Sequence, residues 1–291
     1  MLPLVSTLVV RSTALRPSPS QIPSVTVMKL RGATKTPPAI LVEVERLNPI
    51  EAEAWKLQPV IDILRDGGVG IIPTDTSFAF VCDVHSRQGV EKIFQLKNVQ
   101  RQRKPLSLLC KDISTIAKYT AGINKNIFRI LKATLPGPYT FILPATHEVP
   151  KVFLEHKHHS RTWKRREVGV RMPDDPICLE ILRSLESPLL CGSVPKGPAG
   201  APDAAAEAIA AAARGEDEAA EAEADLLWAS PSRLANEPAV IYERWKRNVD
   251  FIVDAGPIAS DRLSTVVDIM GAAPVVLREG AGDVGVVLAG V

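Results

Sequence analysis

The sequence predicts an α/β fold, and three observations carry the prediction. Short apolar runs of strand length alternate along the chain with stretches whose apolar residues recur at helical spacing. Pro, Gly, Asp and Asn punctuate the boundaries between these stretches, where turn and cap chemistry is needed. Hydrophobic residues make up 46% of the 291, enough to bury one sizeable core.

The first predicted helix starts at Asn48, Pro49 and Glu51, which supply a capping side chain, a preset backbone angle and an acid in the first turn. Ile50, Ala54, Leu57, Ile61 and Leu64 keep helical spacing, while Pro59 predicts a kink or a restart. Gly67 and Gly68 end the helix. Val69, Ile71 and Ile72 then form a buried strand, closed by Pro73. Thr74, Asp75 and Thr76 follow at once, and Phe78, Phe80 and Val81 open the next strand. Polar groups at such a strand end are either a hairpin turn or ligand-binding groups.

A helix over 86–97 follows, with Val90, Ile93, Phe94 and Lys97 on one face, and another strand comes after Lys104. Asp112 and Asn124 are positioned to cap two further helices. Pro136, Gly137 and Pro138 break the second of them and lead into a strand over 139–143. The remaining pattern predicts strands over 168–172, 189–193, 251–253, 265–269 and 275–277, with a helix opened by Asp175-Pro176.

Two segments differ in composition. Residues 1–42 hold no acid but include Arg11, Arg16, Lys29, Arg31 and Lys35 among many Ser, Thr and Pro. That composition predicts a transit peptide, for a plastid ahead of a mitochondrion, or else a disordered tail on a cytoplasmic protein. Residues 198–229 are dominated by Ala, with eight acids and one base, and predict a low-complexity surface insertion in the domain that spans 48–290.

Several function classes are excluded on composition and spacing. Cys82, Cys110, Cys178 and Cys191 show no C-x-x-C spacing, so neither a zinc ribbon nor a disulfide framework is expected. No apolar run reaches the length of a membrane span. Gly280–Gly285 matches G-x-G-x-x-G, but too little chain follows for a βαβ unit. His156, His158 and His159 sit among cations with no Cys or carboxylate cluster, which argues against a metal site. The same stretch carries Arg161, Trp163, Lys164, Arg165 and Arg166, and is either a solvated basic loop or an RNA contact.

An ordered set of short motifs remains. The chain reads P-T-D-T at 73–76, Lys97, K-P-L at 104–106 and L-P-G-P-Y-T-F at 135–141. It continues with V-R-M-P at 170–173, C-G-S-V-P at 191–195, S-T-V-V-D at 264–268 and L-R-E-G at 277–280. In this order the motifs resemble the YrdC-like domain family, whose best-known members are threonylcarbamoyl-AMP synthases. The wording around 140–150 and 275–284 is closer to its YciO branch. Three positions depart from the family pattern: Pro195 stands for an Asn, Val99 for an Arg, and Ala79 and Val81 for glycines.

The resemblance implies a twisted mixed sheet flanked by helices, with a concave basic pocket. It implies ATP-dependent formation of threonylcarbamoyl-AMP from threonine and bicarbonate, for tRNA modification, with Mg2+ accompanying the ATP. It places Thr74 and Lys97 at the chemistry. Thr76, Arg101, Lys104, Arg171, Ser193, Ser264, Thr265 and Arg278 would hold nucleotide and substrate. The physical logic agrees, because a polyphosphate needs cations and backbone or hydroxyl donors. The alternative is a non-catalytic nucleotide- or double-stranded-RNA-binding protein that keeps the pocket.

Overall fold

The computed structural model describes residues 37–45, 53–97, 106–158, 161–164, 166–195, 236–260 and 262–289. Its strands are β1 (Ile40–Glu43), β2 (Val69–Ile72), β3 (Ala79–Asp83), β4 (Ser107–Leu109), β5 (Tyr139–Pro144), β6 (Glu155–His158), β7 (Arg161–Lys164), β8 (Glu167–Arg171), β9 (Leu189–Ser193), β10 (Phe251–Asp254), β11 (Thr265–Asp268) and β12 (Val275–Arg278). Its helices are α1 (Gln58–Arg65), α2 (Arg87–Leu96), α3 (Ile113–Tyr119), α4 (Lys125–Thr134), α5 (Lys151–Leu154), α6 (Pro176–Arg183), α7 (Pro238–Trp245) and α8 (Val284–Ala289).

Ten strands form one mixed sheet in the order β1-β10-β2-β3-β9-β4-β8-β5-β11-β12, while β6 and β7 pair separately as an antiparallel hairpin. The α/β class and the twisted mixed sheet expected from sequence are observed. The predicted caps form. Asp112 accepts from the Thr115 amide, Asn124 from those of Asn126 and Ile127, and Asp175 from that of Cys178; Ser86, not singled out in the sequence, caps α2 by accepting from the Gly89 amide. Pro59 restarts the chain from a 3-10 turn, Ala54–Leu57, into α1. Gly67 ends that region at φ +84, a conformation that favours glycine.

Alternation along the central strands divides the sheet into two faces. Leu108, Phe141, Val170, Leu190 and Val267 point into one cluster, which α2, α3, α4 and α7 cover with Ile93, Ile116, Leu131 and Trp245. Trp245 meets Phe80 edge-on, ring centroids 4.9 Å apart. The opposite face carries Ile72, Ala79, Val81, Leu109, Cys191, Phe251 and Val253, packed under α1 and α6 by Leu57, Leu64, Ile177 and Ile181. That second layer covers the β10 to β4 half. On the β4, β8, β5 and β11 half the same face presents Ser107, Gly169, Thr140, Ile142 and Val266 to a cavity instead.

Four features differ from the sequence expectation. β1 falls at the end of the 1–42 segment assigned to a tail, yet it pairs in parallel with β10 and so belongs to the folded domain. The sequence signal failed there because β1 is a four-residue edge strand with none of its residues buried, and it directly follows a Pro- and Thr-rich stretch. The basic stretch around 161–164 continues a β-hairpin rather than an open loop. α7 and α8 were not expected. α7 follows a segment read as low complexity, and it packs on the core through Ile241 and Trp245, with Pro238 also buried and Tyr242 partly so. The helix start at 48–51 and the 198–229 insertion lie outside the described residues.

Candidate functional site

The cavity on the uncovered half-face has a volume of about 250 Å3. Its floor is the sheet itself. Ser107 of β4 pairs with Gly169 of β8 on one side and with Cys191 of β9 on the other. Gly169 in turn pairs with Ile142 of β5. A Cβ on Gly169 would lie 2.9 Å from Ser107 Oγ and 3.3 Å from Thr140 Cγ2, so the bare glycine keeps the floor open.

Lys97 reaches the cavity from the end of α2. It is 7% exposed, and its Nζ donates to the Ser193 carbonyl at 2.7 Å. Gly192 makes that approach feasible, since a Cβ there would sit 2.9 Å from Lys97 Cδ. From the β11–β12 side comes Arg278, whose Nε and Nη2 donate to the Ser264 carbonyl at 3.1 and 2.8 Å. Its Nη2 also donates to Ser264 Oγ at 3.2 Å, and that hydroxyl shares a 2.8 Å hydrogen bond with Thr140 Oγ1. Burial pulls the Arg278 guanidinium down from its ordinary value to about 10, and the positive charge of Arg171 adds to the shift.

Arg171 ends β8 and lines the same cavity. Its Nη2 donates to Asp75 Oδ1 at 2.9 Å and to Thr76 Oγ1 at 3.0 Å. The Arg171 and Asp75 side chains are 7% and 8% exposed, so this ion pair is held out of bulk water. Asp75 Oδ2 also accepts from the Asp174 amide at 3.2 Å, which ties the 73–77 turn to the loop before α6. Arg171 Nε is buried with no hydrogen-bond partner among the described residues, a donor left open to a ligand.

Five of the predicted residues therefore share one cavity: Lys97, Arg171, Ser193, Ser264 and Arg278. They come from α2, β8, β9, β11 and β12, more than 180 residues apart in sequence at the extremes. Thr74, Thr76 and Thr265 are buried beside it, and each hydroxyl is engaged internally. Thr74 Oγ1 donates to the Ser77 carbonyl at 2.6 Å and accepts from the amides of Thr76 and Ser77. Thr265 Oγ1 donates to the Gly282 carbonyl at 2.7 Å and accepts from the Gly280 amide. Arg101 and Lys104 lie outside the described residues, as does Val99. Ala79 and Val81, which replace family glycines, pack in the second core cluster rather than in the cavity. Pro195 is buried just beyond Ser193 and Val194.

Sequence reading expected three converging cations and no nearby acid. The structure corrects this: Asp75 neutralises Arg171, and Glu167 lines the cavity. Thr140 and Ser107 were also missed. Their signal is cross-strand register, which a single sequence does not encode in any local pattern. Cys191 lines the cavity as well, but burial pushes its thiol up despite the opposing charges of Arg171 and Lys97, so it is a poor nucleophile. Among the described residues no group of three His, Cys, Asp or Glu is placed to hold a metal ion.

With this geometry in hand, comparison with known proteins becomes specific. Residues 62–218 match the Sua5/YciO/YrdC family, described as Telomere recombination. The chain belongs to this family. It is 27% identical to YciO of Escherichia coli, an uncharacterised protein, over 238 residues that cover 82% of this chain and 95% of YciO. It is 32% identical to the threonylcarbamoyl-AMP synthase of Nitrosococcus oceani over 96 residues, 33% of this chain and 51% of the synthase. The crystal structure of E. coli YciO superposes with a TM-score of 0.65 at 26% identity, covering 86% of this chain and all of YciO. P. abyssi Sua5, crystallised with L-threonine, shares the fold at a TM-score of 0.63 and 22% identity, over 83% of this chain and 58% of Sua5. Family membership and fold thus agree with the ordered motifs.

Proposed function

We propose that the cavity binds the phosphates of ATP and that the protein forms threonylcarbamoyl-AMP from L-threonine and bicarbonate, in service of tRNA modification. The observation that carries this reading is the convergence of Lys97, Arg171 and Arg278, with Ser193, Ser264 and Thr140, on one sheet-floored cavity. Cations gathered in a confined space favour an anionic ligand, because their mutual repulsion and desolvation are relieved when it binds. Distant relatives named threonylcarbamoyl-AMP synthase support the choice of reaction.

In this reaction the threonine nitrogen forms a bond to the bicarbonate carbon, and water leaves to give a carbamate. A carbamate oxygen then attacks the α-phosphorus of ATP as the bond to the departing pyrophosphate breaks. Charge grows on the phosphoryl oxygens, where fixed guanidinium and ammonium groups stabilise it. The protein's work is positioning and electrostatics, so no side-chain nucleophile is required. Mg2+ would arrive with ATP as part of the substrate.

Incubation with ATP, threonine and labelled bicarbonate tests the proposal: labelled adenylate and pyrophosphate should appear together. Lys97→Met, which keeps the stem packed against Gly192 but removes the charge, should weaken ATP binding about tenfold or more. A second reading, a nucleotide- or RNA-binding protein without turnover, is favoured by Pro195, which offers no side-chain donor or acceptor where the family carries Asn. ATP binding with no adenylate formed selects that reading, and Pro195→Asn then becomes the variant to assay. The basic stretch 161–166 is the proposed RNA contact. Replacing Arg161, Lys164, Arg165 and Arg166 by Ala should weaken RNA binding and flatten its salt dependence. Plastid import through the amino-terminal segment is likewise proposed, with processing ahead of Ala39, whose buried side chain leads into β1. Sequencing the amino terminus of the mature protein tests it.

A further inference from the structure

The cavity contains one group that the proposed reaction has not used. Glu167, the first residue of β8, lines it and is half-buried. The other charged residues lining it are Lys97, Arg171 and Arg278, and Arg171 already has Asp75. The Glu167 side chain makes no hydrogen bond or ion pair with any described residue, while its backbone lies in the β5–β8 ladder. A carboxylate so placed repels phosphate and accepts only from donors. Among the described residues its carboxylate holds no other side chain, so fold stability there does not explain its placement.

Strand register fixes where it stands. Glu167 lies two residues beyond Gly169 on β8, and Ser193 lies two residues beyond Cys191 on β9, both counted from the row that crosses Ser107. Alternation puts their side chains on the same face as Gly169 and Cys191, the cavity face. Two strand spacings separate them, about 10 Å. Lys97 Nζ is on the Ser193 carbonyl, so Glu167 faces the Lys97 end of the cavity. Arg171 lies four residues along β8, about 13 Å from Glu167 by strand rise. The cavity is therefore graded: cations with Ser264 and Thr140 at the Arg171 end, and a cation facing the Glu167 carboxylate at the other.

We infer that Glu167 is the specificity residue that receives the protonated amine of the substrate that accepts the carboxyl group. The inference rests on the function proposed above. Of its three substrates, ATP and bicarbonate are anions, and the amino acid alone carries a positive group. A carboxylate and an ammonium are both charged, so their hydrogen bond adds direct charge attraction that a ribose hydroxyl cannot supply. The carboxylate holds the amine near Lys97, which draws bicarbonate to the same end. The amine must lose a proton before its lone pair can reach the bicarbonate carbon. That proton passes to solvent water, the nitrogen bonds to the bicarbonate carbon as a water molecule leaves, and Glu167 positions the nitrogen for the step.

The test is calorimetric titration of wild-type protein and Glu167→Gln, separately with ATP and with L-threonine in the presence of a non-hydrolysable ATP analogue. Glu167→Gln should bind threonine about tenfold or more weakly. It should bind ATP as well as the parent or slightly better, and melt at the same temperature because no internal contact is lost. The wild type should also reject 2,3-dihydroxybutyrate, which lacks the amine, and the variant should lose much of that discrimination. A variant with weakened ATP binding and unchanged threonine binding overturns the inference and assigns Glu167 to the nucleoside. Unchanged affinity for both overturns it too. If wild-type protein binds ATP but not threonine, the proposed reaction falls. A titration series over the other amino acids and simple diamines then decides Glu167 separately. An amine whose binding depends on Glu167 sustains the inference, and no amine binding at all ends it.

Discussion

Two polar clusters meet at Arg171, and they are built from similar residues to opposite ends. The 73–77 turn is closed: Thr74 hydrogen-bonds within the turn, and Asp75 and Thr76 are both spent on Arg171. The group formed by Lys97, Ser193, Thr140, Ser264 and Arg278 is open to a cavity and has no acid paired to Arg278 among the described residues. Threonines and cations alone do not mark a ligand site. The difference lies in whether the guanidinium is paired by an acid, as Arg171 is by Asp75, or rests on neutral oxygens, as Arg278 does on Ser264. A balanced cluster holds loops together, and an unbalanced one waits for an anion.

The sharpest way to break this contrast is to open the closed cluster. Asp75→Ala leaves Arg171 buried and uncompensated, and should destabilise the domain by about 3 kcal/mol or more in urea unfolding. The same variant should bind a polyphosphate more tightly, because Arg171 then joins the open set. Loss of stability without any gain in anion affinity would show that the Arg171 charge is not available to a ligand in the cavity it lines.

The fold was largely legible before the structure, because period and punctuation agree along most of the chain. Asp112, Asn124 and Asp175 are local signals, and each caps a helix as its chemistry demands. The site was legible in its cations but not in its balance. Lys97, Arg171 and Arg278 stand out in short motifs, whereas the Arg171–Asp75 pair, the Thr140–Ser264 bond and the placement of Glu167 all depend on long-range register. β1 was lost to composition, since residues 1–42 look uniform until one knows that Phe251–Asp254 needs a partner. That correction is measurable. A chain starting at Pro37 should melt like the full protein, and one starting at Val44 should lose about 2 kcal/mol, roughly 4–8 °C. Equal melting of the two would mean that β1 adds nothing to the sheet.

A smaller effect separates the clusters directly. Thr74→Val removes the acceptor of two turn amides and should cost roughly 1–2 kcal/mol while leaving anion binding alone. Ser264→Ala should do the reverse, lowering polyphosphate affinity several-fold with a smaller change in melting. The pair is measured side by side by thermal melting and tripolyphosphate titration. If both variants move the same quantity, the division into closed and open clusters is wrong.

The subtlest test uses protons. In the unfolded chain Arg278 keeps its proton up to its ordinary, higher value, whereas burial in the folded protein lowers it to about 10. Between these values the unfolded state binds more protons, so the group's contribution to stability rises with pH through that window. Below about 10 the charged, desolvated guanidinium is a cost to the fold. A bound anion removes that cost by pairing with the charge, which ties anion binding to the protonated form. Tripolyphosphate affinity should therefore fall as pH rises through about 10, with protons released from the complex. In Arg278→Gln the same titration should lack this component, leaving only the decline due to other cations. The variant also loses three hydrogen bonds to Ser264, so its melting at pH 7 is the control for folding. Parallel pH profiles in the two proteins would place the titrating charge elsewhere and remove Arg278 from the open cluster.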